Sequence, residues 1–281
     1  MRLIVGNHEQ FLSCELLFKL KIAGAGIWRC HEGTGSFVFS SSVPHDSNPI
    51  MPTPNNHSAV MEVPHVRQTQ SWDCGLACVV MVLEAMGIKG VDLDTIKQLC
   101  PTQSTWTVDL AYLLHRFGLN VLFLTVTIGA NPDFASESFY LDNMEEDEHR
   151  VNRLFREAAS KGITICSCSM SATQLQQAIL SARCLAIALV DKRKLSTWFN
   201  ATQLLGPQLC SVASGYTGHY VVICGYDAQR QAFLIQDPAR SMPSGMWVAA
   251  DVLESARKSF GTDEDLLVIS TQPLKTNDLL V

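Results

Sequence analysis

The stretch "CGLACVVMVL", Cys74 to Leu83, constrains the fold of this chain more than any other. A helix at a protein surface needs a polar face, and at helical spacing these residues leave none, so the helix they form must lie inside a core. The polar and aromatic lead-in "QTQSWD", Gln68 to Asp73, abuts its start. The N-terminus of the buried helix therefore emerges at the rim of the core, with Cys74 at the join. A chain of 281 residues that is 47% hydrophobic is long and apolar enough to surround such a helix.

Around that helix the sequence divides into three parts. Residues 1–58 end in the Ser/Pro/Asn-rich "SSSVPHDSNPIMPTPNNHS" and read as a flexible leader or linker, residues 59–272 as one folded domain, and 273–281 as a tail. Helices are predicted at Asp92–Leu99, Val108–Phe117, His149–Gly162, Ser171–Arg183 and Ala250–Ser259. Strands are predicted at "NVLFLTVTIG", "ITICSCS", "CLAIALVD", in two runs within "GHYVVICGYDAQRQAFLIQDPA", and at "EDLLVIS". The acidic "MEEDEH", Met144 to His149, reads as a solvated loop. A mainly helical first half followed by a mainly sheet second half is an α+β pattern.

A formal charge of −6, with Lys and Arg scattered singly, leaves no electrostatic footprint for nucleic acid or an anionic membrane. The most membrane-like stretch, "FLSCELLFKLKIAGAGIW", carries Glu15, Lys19 and Lys21 and lacks the run of roughly 20 apolar residues that a spanning helix needs. Ten cysteines are too few for a disulfide scaffold, and several sit in apolar runs where reduced thiols pack as small hydrophobes. The expectation is a cytoplasmic protein with no membrane or nucleic-acid partner.

The chemistry centres on Cys74. A thiol at a helix N-terminus feels the partial positive charge there, which favours thiolate. Cys78, one turn further in, is the structural cysteine. His219, at the start of the strand "GHYVVICGYD", is the base that a thiolate needs. Asp237, in "LIQDPA" at the end of the next strand, orients the imidazole from its second nitrogen. Gln68 offers a side-chain amide to an oxyanion, beside the backbone N–H of Cys74, with Gln70 as its rival. No Cys/His set stands at structural-zinc spacing, so no metal site is expected; Asp92, Asp94 and Asp109 read as helix caps, and Trp72 and Trp106 as packing residues.

"QTQSWDCGLAC", "GHYVVICGYD" and "IQDPA" resemble the active-site blocks of the C39-type, papain-like cysteine peptidases. His219 stands roughly 145 residues after Cys74, within the roughly 130 to 150 that papain-like enzymes place between nucleophile and base. That resemblance implies a papain-like fold, a peptide or protein substrate and no cofactor. More extensively, Val63 to about Ser270, including "STWTVDLAYLLHRFG", "IGANPDF", "YTGHYVVICGYDA" and "ARKSFGTDEDLLVI", resembles the soluble plant guanylyl cyclase family. That second resemblance implies conversion of GTP to cyclic GMP with Mg²⁺ or Mn²⁺, and a short cyclase pattern would fall on "SWDCGLACVVMVLE" from Ser71. A cysteine hydrolase or acyl transferase, a nucleotide cyclase and a non-catalytic binding module on the same fold all remain open at this stage.

Overall fold

In the computed structural model the described residues are 58–100, 102–133, 144–182, 184–195, 216–240 and 245–270, together with four short strands of the first 57 residues. Those strands form two antiparallel pairs, β1 (Arg2–Val5) with β2 (His8–Phe11) and β3 (Arg29–Cys30) with β4 (Phe37–Val38). The rest of the leader and the 273–281 tail lie outside the described residues.

The domain follows as β5 (Ser58–Val60), α1 (Cys74–Ala85), α2 (Leu93–Leu99), α3 (Thr107–Arg116), β6 (Asn120–Thr125), α4 (Met144–Glu157), β7 (Thr164–Ser167), α5 (Ala172–Ala182), β8 (Leu185–Asp191), β9 (Gly218–Asp227), β10 (Ala232–Gln236), β11 (Met246–Ala249), α6 (Ala250–Arg257) and β12 (Leu266–Ser270). Local signals set several boundaries. Asp92 caps α2 by accepting the Thr95 N–H at 2.8 Å, and Ser171 and Gln174 cap α5 reciprocally, each side chain accepting the other's backbone N–H. Gly162, at φ 81°, takes the left-handed turn that ends the segment after α4.

The "MEEDEH" segment is a correction. It is the first part of α4, and Asp147 within it is buried at 4% exposure. Its carboxylate accepts from the Trp106 indole N–H and from Arg150, each at 2.8 Å, and from the Ser104 hydroxyl. Those partners satisfy a charge that burial would otherwise penalise. Arg150 also pairs with Asp109, whose other oxygen accepts the Trp106 backbone N–H at 2.9 Å. A carboxylate–guanidinium cluster thus pins the start of α3 to α4.

One mixed sheet organises the domain in the order β11-β10-β9-β8-β12-β6-β7, with β5 also paired to β9. Pairing among the described strands is antiparallel except for β6 with β7. The α+β class expected from the helix-then-strand order is present: a buried helix carrying the cysteine packs on a sheet strand that carries the histidine. Both faces of the sheet are covered. Leu185, Ile187 and Leu189 of β8 join the core beneath α1 and α3, while Ala186, Ala188 and Val190 join the core under α5 and α6. Burial on both faces is why "LAIALV" is apolar without alternation. Residues Cys74 to Leu83 of α1 are all buried, and each buried Leu, Val or Met side chain contributes about 1.5–3 kcal/mol of transfer free energy.

Candidate active site

Three elements converge at the N-terminus of α1. Cys74 is the first helical residue, after the cap residue Asp73. Gly75 lets that turn lie flat on β9 and α3: a Cβ there would stand 2.9 Å from both the Tyr220 Cδ2 and the Leu110 Cδ1 atoms. A larger residue there must displace the Tyr220 ring, the Leu110 side chain or the helix start itself. β9 pairs with β10 only as far as Val222 opposite Gln236, so residues 219–221 run past the end of β10. Cys74 sits in that gap, where the Tyr220 and Gly75 backbone N–H groups and the His219 side chain bond its sulfur.

A β-bulge brings in the third group. Leu234 faces Gly225 but Ile235 faces Ile223, so Cys224 is an extra residue in β9. Because side chains alternate along a strand, the one-residue shift places Asp237 on the same face as His219; without it Asp237 would turn to the other side. The His219 Nε2 lies 2.7 Å from the Asp237 Oδ1, which leaves Nδ1 for the thiol. The Ala239 N–H donates to the same carboxylate oxygen at 2.9 Å and fixes its direction.

The electrostatics follow from these contacts. Burial pushes the Cys74 thiol up, but the His219 hydrogen bond and charge and the two backbone N–H groups outweigh it, and the thiol lies below its ordinary range. Burial lowers His219, yet Asp237 and Cys74 raise it to about 9. Burial likewise raises Asp237, and the His219 hydrogen bond and charge bring it below the usual carboxylate range. All three shifts run in the direction that favours transfer of the proton from sulfur to imidazole. Cys78 behaves oppositely: burial, with the charges of Cys74 and Asp237 adding to it, pushes its thiol well above the ordinary value.

Gln68 is nearby but engaged. Its backbone N–H donates to the Pro238 carbonyl at 2.9 Å, which ties it to the Asp237 loop, and its side-chain amide donates to the Gln70 carbonyl at 2.7 Å. Gln70 thus contributes a backbone acceptor to the lead-in. The residues the sequence did not single out are Asp73 and Lys97. Asp73 is fully buried and gathers the lead-in: its carboxylate accepts from the Thr69 N–H and hydroxyl, the Gln70 N–H, and the Lys97 ammonium at 2.8 Å. Burial raises its carboxyl, and Lys97, Thr69 and Gln70 together hold it low. His65 and Gln236 add a second seam, the His65 Nε2 lying 3.1 Å from the Asp237 carbonyl oxygen and the Gln236 amide donating to the Val63 carbonyl at 3.1 Å. The signal in the sequence was the Asp immediately before the Cys.

The stretch from Ser71 to Glu84, where a cyclase pattern would fall, is largely α1, and its residues 74–83 face the core. Among the described residues no three His, Cys, Asp or Glu side chains converge as metal ligands.

Comparison with known proteins places the chain. Guanylyl cyclase 1 of Arabidopsis thaliana is 49% identical over 222 residues, covering 79% of this chain and 80% of that protein. Two solved structures are similar at low identity: a double glycine motif protease from an AMS/PCAT transporter in complex with its leader peptide (14% identity, 75% of this chain and 92% of that one, TM-score 0.41), and a C39-like peptidase from Bacillus anthracis (13%, 76% and 98%, TM-score 0.45). Residues 63–269 match the guanylylate cyclase family, and the chain belongs to that family.

Proposed function

We propose that this domain is a papain-like cysteine hydrolase or acyl transferase that acts on a peptide or isopeptide bond through Cys74, His219 and Asp237. The observation that carries the assignment is the hydrogen-bonded chain from Cys74 through His219 to Asp237, with both ends of the imidazole engaged. The Cys74 thiolate attacks the carbonyl carbon, and the carbonyl π electrons move to oxygen. The Cys74 backbone N–H and the Gln68 amide, exchanging its Gln70 acceptor for the substrate, stabilise that oxyanion. The imidazolium of His219 gives its proton to the leaving nitrogen as the C–N bond breaks, leaving a thioester on Cys74. His219 then deprotonates water or an acceptor amine, which attacks the thioester and releases the sulfur as thiolate. Asp237 keeps the ring oriented throughout. No cofactor enters these steps. A reducing compartment such as the cytoplasm suits the thiolate, and no described helix is long and apolar enough to cross a membrane.

Support for a guanylyl cyclase, with GTP as substrate and Mg²⁺ or Mn²⁺ as cofactor, comes from the family and from the name of its 49% identical relative. One pair of assays separates the two. A peptide library digested by the wild type and by Cys74→Ala should show cleavage or ligation products that need Cys74. GTP with Mn²⁺ should give no cyclic GMP; cyclic GMP formed equally by wild type and Cys74→Ala would instead establish the cyclase. Absence of both activities would indicate a binding module.

A further inference from the structure

A polar cavity lies one side chain from the nucleophile. Tyr220, whose ring packs on Gly75, also lines a pocket of about 30 Å³ with Thr107, Thr125, Thr127, Asp263 and Asp265. About 10–15 Å³ holds one water-sized occupant, so this space takes one or two; ligand clefts begin near ~300 Å³. A peptide side chain or a nucleotide base does not fit.

The pocket holds more acceptors than protons. Asp265 is 8% exposed, and its Oδ1 is buried with no hydrogen-bond partner. The hydroxyls of Thr107 and Thr125 bond its carboxylate, but each has a single proton. The Thr125 Oγ1 also lies 3.0 Å from the Thr127 carbonyl oxygen and 3.3 Å from that of Asp263. The Thr107 Oγ1 is 2.9 Å from the Tyr220 hydroxyl. The Thr127 hydroxyl and the Asn131 amide are already committed to the Asp263 Oδ1, each at 2.8 Å. No Lys, Arg or His stands among the described residues that line the cavity. A buried carboxylate oxygen in such surroundings costs several kcal/mol unless positive charge meets it.

From this excess of oxygen acceptors around a partnerless buried carboxylate oxygen, we propose that the cavity is a binding site for one small monovalent cation, sodium or potassium. All the donors are hard oxygens, which excludes a thiophilic or imidazole-type metal. Asp263 Oδ1 is engaged by the Thr127 hydroxyl and the Asn131 amide, which leaves Asp265 Oδ1 as the one partnerless carboxylate oxygen for a cation to meet. In the absence of an ion, burial and the neighbouring Asp263 push the Asp265 carboxyl up to about 7, so a proton competes for the same oxygen and the site is best assayed at pH 8.

The test is a melting series on the full chain at pH 8 in NaCl, KCl or choline chloride at equal ionic strength. Sodium or potassium should raise the melting temperature saturably, by about 3 °C or more over choline. Asp265→Asn, which keeps the shape and brings its own amide donors, should melt no lower than wild type in choline and lose the ion response. Crystals soaked in thallium(I), which substitutes for potassium, should show an anomalous peak beside Asp265. Equal melting in all three salts, or an unchanged ion response in Asp265→Asn, overturns the proposal, as does a cavity holding water only in thallium-soaked crystals where potassium is the ion that raises the melting temperature. Peptide and GTP turnover are not read, so failure here is separate from failure of the cysteine chemistry.

Discussion

Replacing Asp237 with Asn isolates the contact that sets the proton on the imidazole. In the wild type the carboxylate lies 2.7 Å from the His219 Nε2 and is the largest of the influences that raise His219 to about 9 against burial. Asn keeps a hydrogen bond but removes the charge. A hydrogen bond to a charged group contributes about 1.5–3 kcal/mol, and one pKa unit corresponds to 1.36 kcal/mol, so His219 should fall by about 1–2 units. Because its folded-state pKa lies above the unfolded value of 6.5, the stabilisation is fully present below about pH 6.5 and is lost as pH rises through about 9. The assay is the rate of Cys74 alkylation by iodoacetamide against pH, followed by mass spectrometry, with an NMR titration of the His219 ring alongside. Since thiolate and imidazolium titrate as a pair, the measured limbs belong to both. The change should appear as a transition near 9 in the wild type that moves to about 7–8 in the variant, with the stability difference between the two proteins vanishing above pH 9. A transition that does not move would refute the role given to Asp237.

Three further substitutions probe how the site is held. Gly75→Ala should lift the first turn of α1 off Tyr220 and Leu110, slowing Cys74 alkylation at least tenfold while circular dichroism shows the helices retained. Leu83→Ala, fully buried at the far end of the same helix, should cost about 2–5 kcal/mol in urea unfolding and leave the alkylation rate of the folded protein unchanged. Lys97→Met leaves the buried Asp73 carboxylate without its cation; unfolding should show a loss of about 1–3 kcal/mol, and the uncompensated charge beside Cys74 should shift its alkylation curve to higher pH.

The placement of Cys74 was legible because a helix with no polar face can only be buried, and its end can only be at a rim. His219 and Asp237 were legible from their positions at strand ends. Their meeting was expected, but the device that produces it went unread: it depends on the extra residue at Cys224, which sets Asp237 on the face of His219 and is marked in "VVICGYD" only by the neighbouring Gly225. Asp73 and Lys97 escaped notice for a related reason, since their ion pair joins α2 to the lead-in across the packed domain. "MEEDEH" read as solvent-facing because its composition is acidic, while the Trp106 and Ser104 groups that satisfy Asp147 come from a distant segment. The burial of Asp265, just before β12, is likewise set by residues of β6, α3 and β9 that line its cavity and that lie far from it in the chain.

The most direct test of the central claim compares thiols within one folded protein. Cys74, Cys78, Cys100, Cys184 and Cys224 are all free, and of these only Cys74 has a thiol below the ordinary range. Limited iodoacetamide labelling at pH 7, read residue by residue by mass spectrometry, should modify Cys74 first, ahead of the more exposed Cys100, and His219→Ala should abolish that preference. Cys74 labelled no faster than Cys78, or equally fast with and without His219, would contradict a nucleophilic cysteine at this site.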